Sequence, residues 1–105
     1  MKKWWNEVTK FNDQYFPGWR LDKDLIFFSN ALAGEVGELC GLVKRFYGGG
    51  TNNRTIPLPS EMVEEAVDVF IYLVLFCEAL TCDEHDFDEI FAMKIRKLKR
   101  RMENE

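Results

Sequence analysis

Four acidic residues stand where acids are costly. Glu35 and Glu38 are three apart and flanked by Ala31, Leu32, Ala33, Val36, Leu39, Leu42 and Val43. Glu65 and Asp68 repeat the spacing and run into Val69, Phe70, Ile71, Leu73, Val74, Leu75 and Phe76. On a helix that spacing puts both members of a pair on one face. A carboxylate among apolar neighbours loses hydration, and burying it unpaired is strongly unfavourable. No Lys or Arg stands at helical spacing around Glu35, Glu65 or Asp68 to neutralise them. Converging carboxylates also raise one another's pKa unless a cation intervenes. A hard divalent ion with oxygen ligands resolves both difficulties, and Mg²⁺ accepts a few carboxylates together with substrate phosphates. The expectation is one Mg²⁺-binding cluster of Glu35, Glu38, Glu65 and Asp68, with Mn²⁺ as a substitute ion.

The bland alternative is a pair of solvated acidic faces, which the apolar flanks of both pairs disfavour. A di-iron bundle would need Glu-x-x-His motifs, and His85 lies outside both pairs. The second stripe extends in both directions, since Glu61, Glu65, Asp68 and Tyr72 fall at i, i+4, i+7 and i+11. Tyr72 is thereby a neighbour of the cluster and Glu61 a candidate outer acid. Gly34, Gly37 and Gly41 form an adjacent stripe. Helical glycines cost stability, so this stripe implies close approach of a neighbouring helix or of substrate.

The elements that must position these residues are helical, with no strand-like alternation in competition. Trp4, Val8, Phe11 and Tyr15 mark a first helix, closed by Phe16-Pro17-Gly18-Trp19. A second runs from about Asp22 to Phe46 and stops at Gly48-Gly49-Gly50. The segment Gly48 to Ser60 is a polar loop, long for a helix connection. A third helix follows Pro59-Ser60, with Glu61 and Glu64 suiting its positive dipole end, and continues to about Leu80. A fourth begins near Asp86, where Asp86 and Glu89 read as a capping box. Its apolar face is Phe87, Ile90, Phe91, Ile95, Leu98 and Met102. The fold class is therefore all-α, a four-helix bundle in one domain over 1–105. The second and third helices are apolar on most sides, so each should be central. A lone chain of 105 residues is short of cover for both, and homo-oligomerisation would complete the bundle.

Composition narrows the function classes. Apolar residues make up 47% and aromatics 14%, enough for a packed core and too many for disorder. The net charge of −4 argues against general affinity for nucleic acid. The one basic run, Lys94, Arg96, Lys97, Lys99, Arg100 and Arg101, reads first as a solvated helix end favoured by the dipole. Cys40, Cys77 and Cys82 are odd in number, so no disulfide framework is expected. The start, Met1-Lys2-Lys3-Trp4-Trp5, does not resemble a secretory leader. The longest apolar stretch, Val69 to Cys77, is far below the roughly 20 residues of a membrane span. A cytoplasmic, reduced protein with no membrane or nucleic-acid partner is expected.

Taken together, Ala33-Gly34-Glu35-Val36-Gly37-Glu38-Leu39 and Glu64-Glu65-Ala66-Val67-Asp68-Val69-Phe70-Ile71-Tyr72-Leu73 resemble the MazG-type all-α nucleoside triphosphate pyrophosphohydrolases. Within them the chain looks most like the dCTP-pyrophosphatase-like branch, and the likeness spans about Trp19 to Arg101. The resemblance implies a MazG-like bundle, a homodimer or homotetramer, and cleavage of a (deoxy)nucleoside triphosphate between its α- and β-phosphates to monophosphate and pyrophosphate. It implies Glu35, Glu38, Glu65 and Asp68 as Mg²⁺ ligands, with Glu35 or Glu38 activating water. It also implies contacts to substrate from Tyr72, from Lys94 to the phosphates, and from Trp19 to the base. On the residues alone, Trp19 reads equally well as a core aromatic.

The chain departs from the family where Leu98 stands for a frequent Asn, and where Gly34 stands for an acid that the dCTP-type branch also lacks. A tryptophan that some relatives carry after the first motif is missing, although Phe46 and Tyr47 lie close by. The implied role is house-cleaning of non-canonical or surplus dNTPs. Other readings are a relative acting on dUTP or phosphoribosyl-ATP, and a non-catalytic nucleotide-binding regulatory module.

Overall fold

A computed structural model describes residues 2–48 and 56–104. The greater part of the polar loop between the two acidic motifs lies outside them. The order is α1 (Lys2–Tyr15), α2 (Trp19–Asp22), α3 (Leu25–Gly48), α4 (Pro59–Ala79) and α5 (Glu84–Glu103), with no strand among the described residues. The four long helices match the periodicity of the apolar residues. The single turn α2 was not anticipated, because four residues are too few to show a period.

Local chemistry sets the ends of the helices. Phe16 N–H donates to the Asn12 carbonyl at 2.8 Å, and Gly18 then turns the chain with φ of 81°. A side chain there would be strained by that φ and would meet the Asp22 carboxylate at 3.1 Å. Asp24 caps α3, its Oδ1 accepting the Phe27 N–H at 2.9 Å. At the start of α4 the Glu61 carboxylate accepts the Leu58 N–H at 3.3 Å. Glu61 therefore serves as a helix cap. The capping box of α5 lies three residues earlier than the spacing predicted. Asp83 Oδ1 accepts the Asp86 N–H at 2.9 Å and Asp86 Oδ2 accepts the Asp83 N–H at 3.3 Å. Those bonds, that to the Asp86 N–H above all, hold the Asp83 carboxyl below its ordinary value.

Helix α4 is the spine. Its Val74 and Cys77 pack with Trp5 of α1, and its Leu75 packs with Trp19 and Phe28. Burial pushes the Cys77 thiol up to about 11. Phe28 near the start of α3 meets the later part of α4, while Glu35 and Glu38 meet its earlier part at Glu65. The two helices therefore run antiparallel. Trp5 Nε1 donates to Glu78 Oε2 at 2.8 Å, and Arg20 joins Glu78 at 3.0 Å to Asp13 at 2.7 Å. This network ties α1 and α2 to α4.

The expectation that both acidic helices are central holds only for α4. Helix α3 packs along α4 and leaves Ile26, Phe27, Val36, Val43 and Phe46 exposed. Phe87 of α5 packs on the core, whereas Ile90, Phe91 and Met102 beyond it are exposed. A Cβ at Gly34, Gly37 or Gly41 would meet nothing within 4 Å, so among the described residues no neighbouring helix approaches the glycine stripe. The radius of gyration is 17.1 Å, against about 13 Å for a compact chain of this length.

Candidate metal centre and active site

The antiparallel pairing of α3 and α4 brings the two acidic motifs together. One carboxylate oxygen from each of Glu35, Glu38 and Glu65 lies within 4.8 Å of the others. Asp68, one turn along α4 from Glu65, does not join these three within that distance, although its charge acts on both Glu35 and Glu65. Glu35, Glu65 and Asp68 are half-buried and Glu38 is exposed, so the cluster opens to solvent on one side. Burial first, then the charges of Glu38 and Asp68, pushes the Glu35 and Glu65 carboxyls above their ordinary value.

These residues fit a divalent cation. Glu35 Oε2 and Glu65 Oε2 are sealed from solvent and accept no hydrogen bond from any other residue, and the two carboxyls lie close enough to share a proton. Buried acceptors without donors are rare and unfavourable, and a hard cation satisfies both at once. The donors are all carboxylate oxygens, the set preferred by Mg²⁺, Mn²⁺ or Ca²⁺ over softer metals. A profile of the MazG nucleotide pyrophosphohydrolase domain matches residues 27–105, which carry all four acids.

The chain belongs to the MazG family. It is thus a nucleoside triphosphate pyrophosphohydrolase, a hydrolase acting on phosphoric anhydrides. MazG enzymes generally depend on a divalent metal, and the carboxylate cluster is where this one could hold it. No significant match was found among curated proteins or among solved structures.

Of the other residues expected at the site, Tyr72 shares the α4 stripe of Glu65 and Asp68, whereas Trp19 and Lys94 make no described contact with the four acids. Tyr72 is half-buried one turn beyond Asp68 and packs toward Trp19, Phe28 and Leu75. Trp19 is 3% exposed. Its N–H donates to Asp13 at 2.8 Å, its edge meets Phe28, and the Arg20 guanidinium lies 4.2 Å from its ring centre. A base stacking on Trp19 would have to displace Arg20. The Trp19 N–H, with Arg20 beside it, holds the Asp13 carboxyl below its ordinary value. Lys94 is exposed on α5 and makes no ion pair with the four acids.

Arg45 is a residue that reading the motifs missed. It lies seven residues after Glu38 on the stripe of Glu35, Glu38 and Leu42, and its Nε is shielded without a hydrogen-bond partner. The i+7 spacing was the available signal.

Proposed function

We propose that the protein hydrolyses (deoxy)nucleoside triphosphates to monophosphate and pyrophosphate with Mg²⁺ held by Glu35, Glu38, Glu65 and Asp68, as a house-cleaning enzyme for non-canonical or surplus dNTPs. The observation that carries this reading is the pair of sealed oxygens of Glu35 and Glu65, without a donor from any other residue, inside a carboxylate cluster. Mg²⁺ bound there would neutralise triphosphate charge and polarise the α-phosphoryl group. Glu35 or Glu38, whichever keeps an oxygen free, orients a water and takes its proton as the oxygen attacks the α-phosphorus. The bond from α-phosphorus to the bridging oxygen breaks, and pyrophosphate leaves with the electron pair. Arg45 and Lys94 supply positive charge for the β- and γ-phosphates. Tyr72 contacts the sugar, and Trp19 stacks on the base only with Arg20 swung aside.

The active form is a homodimer or homotetramer. The chain exposes 8121 Å², where a compact chain of its mass exposes about 6,100 Å². The excess is comparable to a stable protein interface, and the bare apolar faces of α3 and α5 supply its chemistry. Helix α3 is long and apolar enough by length and composition to cross a bilayer. The acids in its middle, packed toward Glu65, favour a bundle helix instead. With a net charge of −4 and free cysteines, the reading is a cytoplasmic enzyme of one domain over 1–105 that binds neither membrane nor nucleic acid.

Phosphorus NMR of a dNTP panel with Mg²⁺ tests the reading. Pyrophosphate should appear with the monophosphate, and Glu38→Gln and Asp68→Asn should abolish it while the helical fold persists. Orthophosphate as first product would remove the assignment, and silence across the panel would favour a binding module.

A further inference from the structure

The end of α4 holds two thiols that the catalytic reading leaves unused. Cys77 lies in the last turn of α4 and is buried with Trp5 and Val74. Cys82 follows in the turn before α5, is half-buried, and packs against the same cluster. The backbone joins the two directly. Cys82 N–H donates to the Cys77 carbonyl at 2.9 Å, and Thr81 N–H donates to that of Glu78 at 2.9 Å. Thr81, with φ of 59°, turns the chain back between them. In a Schellman cap of this kind the side chains at the two ends meet, and here those ends are Cys77 and Cys82. A backbone bond of that length holds the two Cα atoms about 5–6 Å apart, inside the range that a disulfide spans.

A packing role accounts for Cys77, since a buried thiol behaves as a small apolar group. It does not account for a second thiol delivered against the first by the cap. A metal does not account for the pair either. Among the described residues no third ligand gathers with the two thiols, whereas Glu35, Glu38 and Glu65 do gather. Cys82 Sγ has only a long contact to the Asp83 carbonyl, at 3.8 Å, which is weak enough to give up. Burial, then the neighbouring Cys82, pushes the Cys77 thiol up to about 11. Burial, then Asp86 and Asp83, also raises the Cys82 thiol. Few thiolates form in such a setting, so exchange is slow. A disulfide carries no charge to bury, and with no stabilised thiolate favouring the reduced pair the link, once formed, resists reduction.

We propose that Cys77 and Cys82 form an oxidation site, closing to a reversible disulfide across the cap of α4 when the protein meets a low-molecular-weight disulfide such as glutathione disulfide. Cys82, the more exposed of the two, reacts first. It gives up its proton, and its sulfur attacks one sulfur of the reagent. The reagent's S–S bond breaks, and one glutathione thiolate leaves with the electron pair and takes up a proton. Cys77 then gives up its proton and attacks Cys82 Sγ, expelling the second glutathione in the same way. The protein loses two electrons and two protons, and the reagent becomes two thiols. The link fixes the turn into α5 onto the end of α4, beside the Trp5 that anchors α1. Glu65 and Asp68 lie more than two helical turns away along α4, so the carboxylate cluster is left as it was.

The test uses the full chain carrying Cys40→Ser, which removes the exposed thiol of α3. The chain is equilibrated with set ratios of reduced to oxidised glutathione, and the remaining thiols are trapped with N-ethylmaleimide. Mass spectrometry of the intact chain should show loss of two hydrogens with no glutathione adduct, reversed by dithiothreitol. The equilibrium constant for closure should be at least about tenfold larger in the folded chain than in the same chain in urea, because a link that fits the fold also stabilises it. Cys82→Ser in the same background should lose no hydrogens. If that variant failed to fold, the comparison of folded with urea-unfolded chain would still decide. Thiols that stay fully trapped at every glutathione ratio would overturn the proposal. So would a persistent glutathione adduct in place of the link, or equal closure in the folded and unfolded chain.

Discussion

Glu35 on α3 and Glu65 on α4 bring carboxylate oxygens within 4.8 Å of each other, and each keeps one oxygen sealed from solvent without a donor from any other residue. The two residues are thirty apart in the chain and meet only because the helices run antiparallel. Burial and mutual repulsion oppose the arrangement in the free protein. A cation held between them would offset both.

Free of metal, the cluster should make stability fall as pH rises. Glu35 and Glu65 are held above their ordinary value of 4.5. Between 4.5 and the raised values the folded chain binds more protons than the unfolded one, so stability is greatest below 4.5 and declines above it. Asp13 and Asp83 are lowered from 3.8 and act in the other sense, losing their contribution only as pH falls below that value. Thermal melts in EDTA from pH 4.5 to 7 should show a falling Tm, with a shallower slope in Glu35→Gln and under saturating Mg²⁺. A Tm that rose across this window in EDTA would count against the cluster.

Glu78 anchors α1 and α2 to the spine by accepting from both the Trp5 indole and the Arg20 guanidinium. Trp5 is 2% exposed, so its indole N–H would be left without an acceptor in a buried setting. Glu78→Ala should therefore destabilise the fold by about 2–3 kcal/mol, measured by urea denaturation, while Glu78→Gln should cost less.

Thr81 closes α4 with φ of 59°, a left-handed conformation unusual for a β-branched residue. Cys82 N–H donates to the Cys77 carbonyl and Thr81 N–H to that of Glu78, both at 2.9 Å. Together these make a Schellman cap, where glycine is the usual occupant. Thr81→Gly should raise stability by about 1 kcal/mol, visible as a higher urea midpoint at unchanged slope.

Sedimentation velocity should find a dimer or tetramer. Phe91, 57% exposed on α5, lies on one of the bare apolar faces, and Phe91→Glu should shift the protein toward monomer. A wild type that sediments as a monomer at micromolar concentration would remove the oligomer from the account.

Much of this was legible because helical periodicity and misplaced acids are local signals. The four long helices, the Glu35–Glu38 and Glu65–Asp68 stripes and the position of Tyr72 all follow from spacing within one element. Features that depend on what meets what were not legible. Trp19 gives no sign in the sequence that Arg20 covers its ring. Asp83 outcompetes Asp86 as the cap of α5 because the turn after Thr81 delivers it first. The centrality expected of α3 failed for a different reason. Its apolar faces are real, but no element of the same chain covers them.

Mn²⁺ electron paramagnetic resonance tests the central claim most directly, because it reports metal at the cluster without turnover. The wild type should take up Mn²⁺, release it on addition of Mg²⁺, and lose at least about tenfold in affinity in Glu35→Gln and in Glu65→Gln. Equal Mn²⁺ binding by wild type and both variants, or none by the wild type, would contradict a metal centre built on these carboxylates.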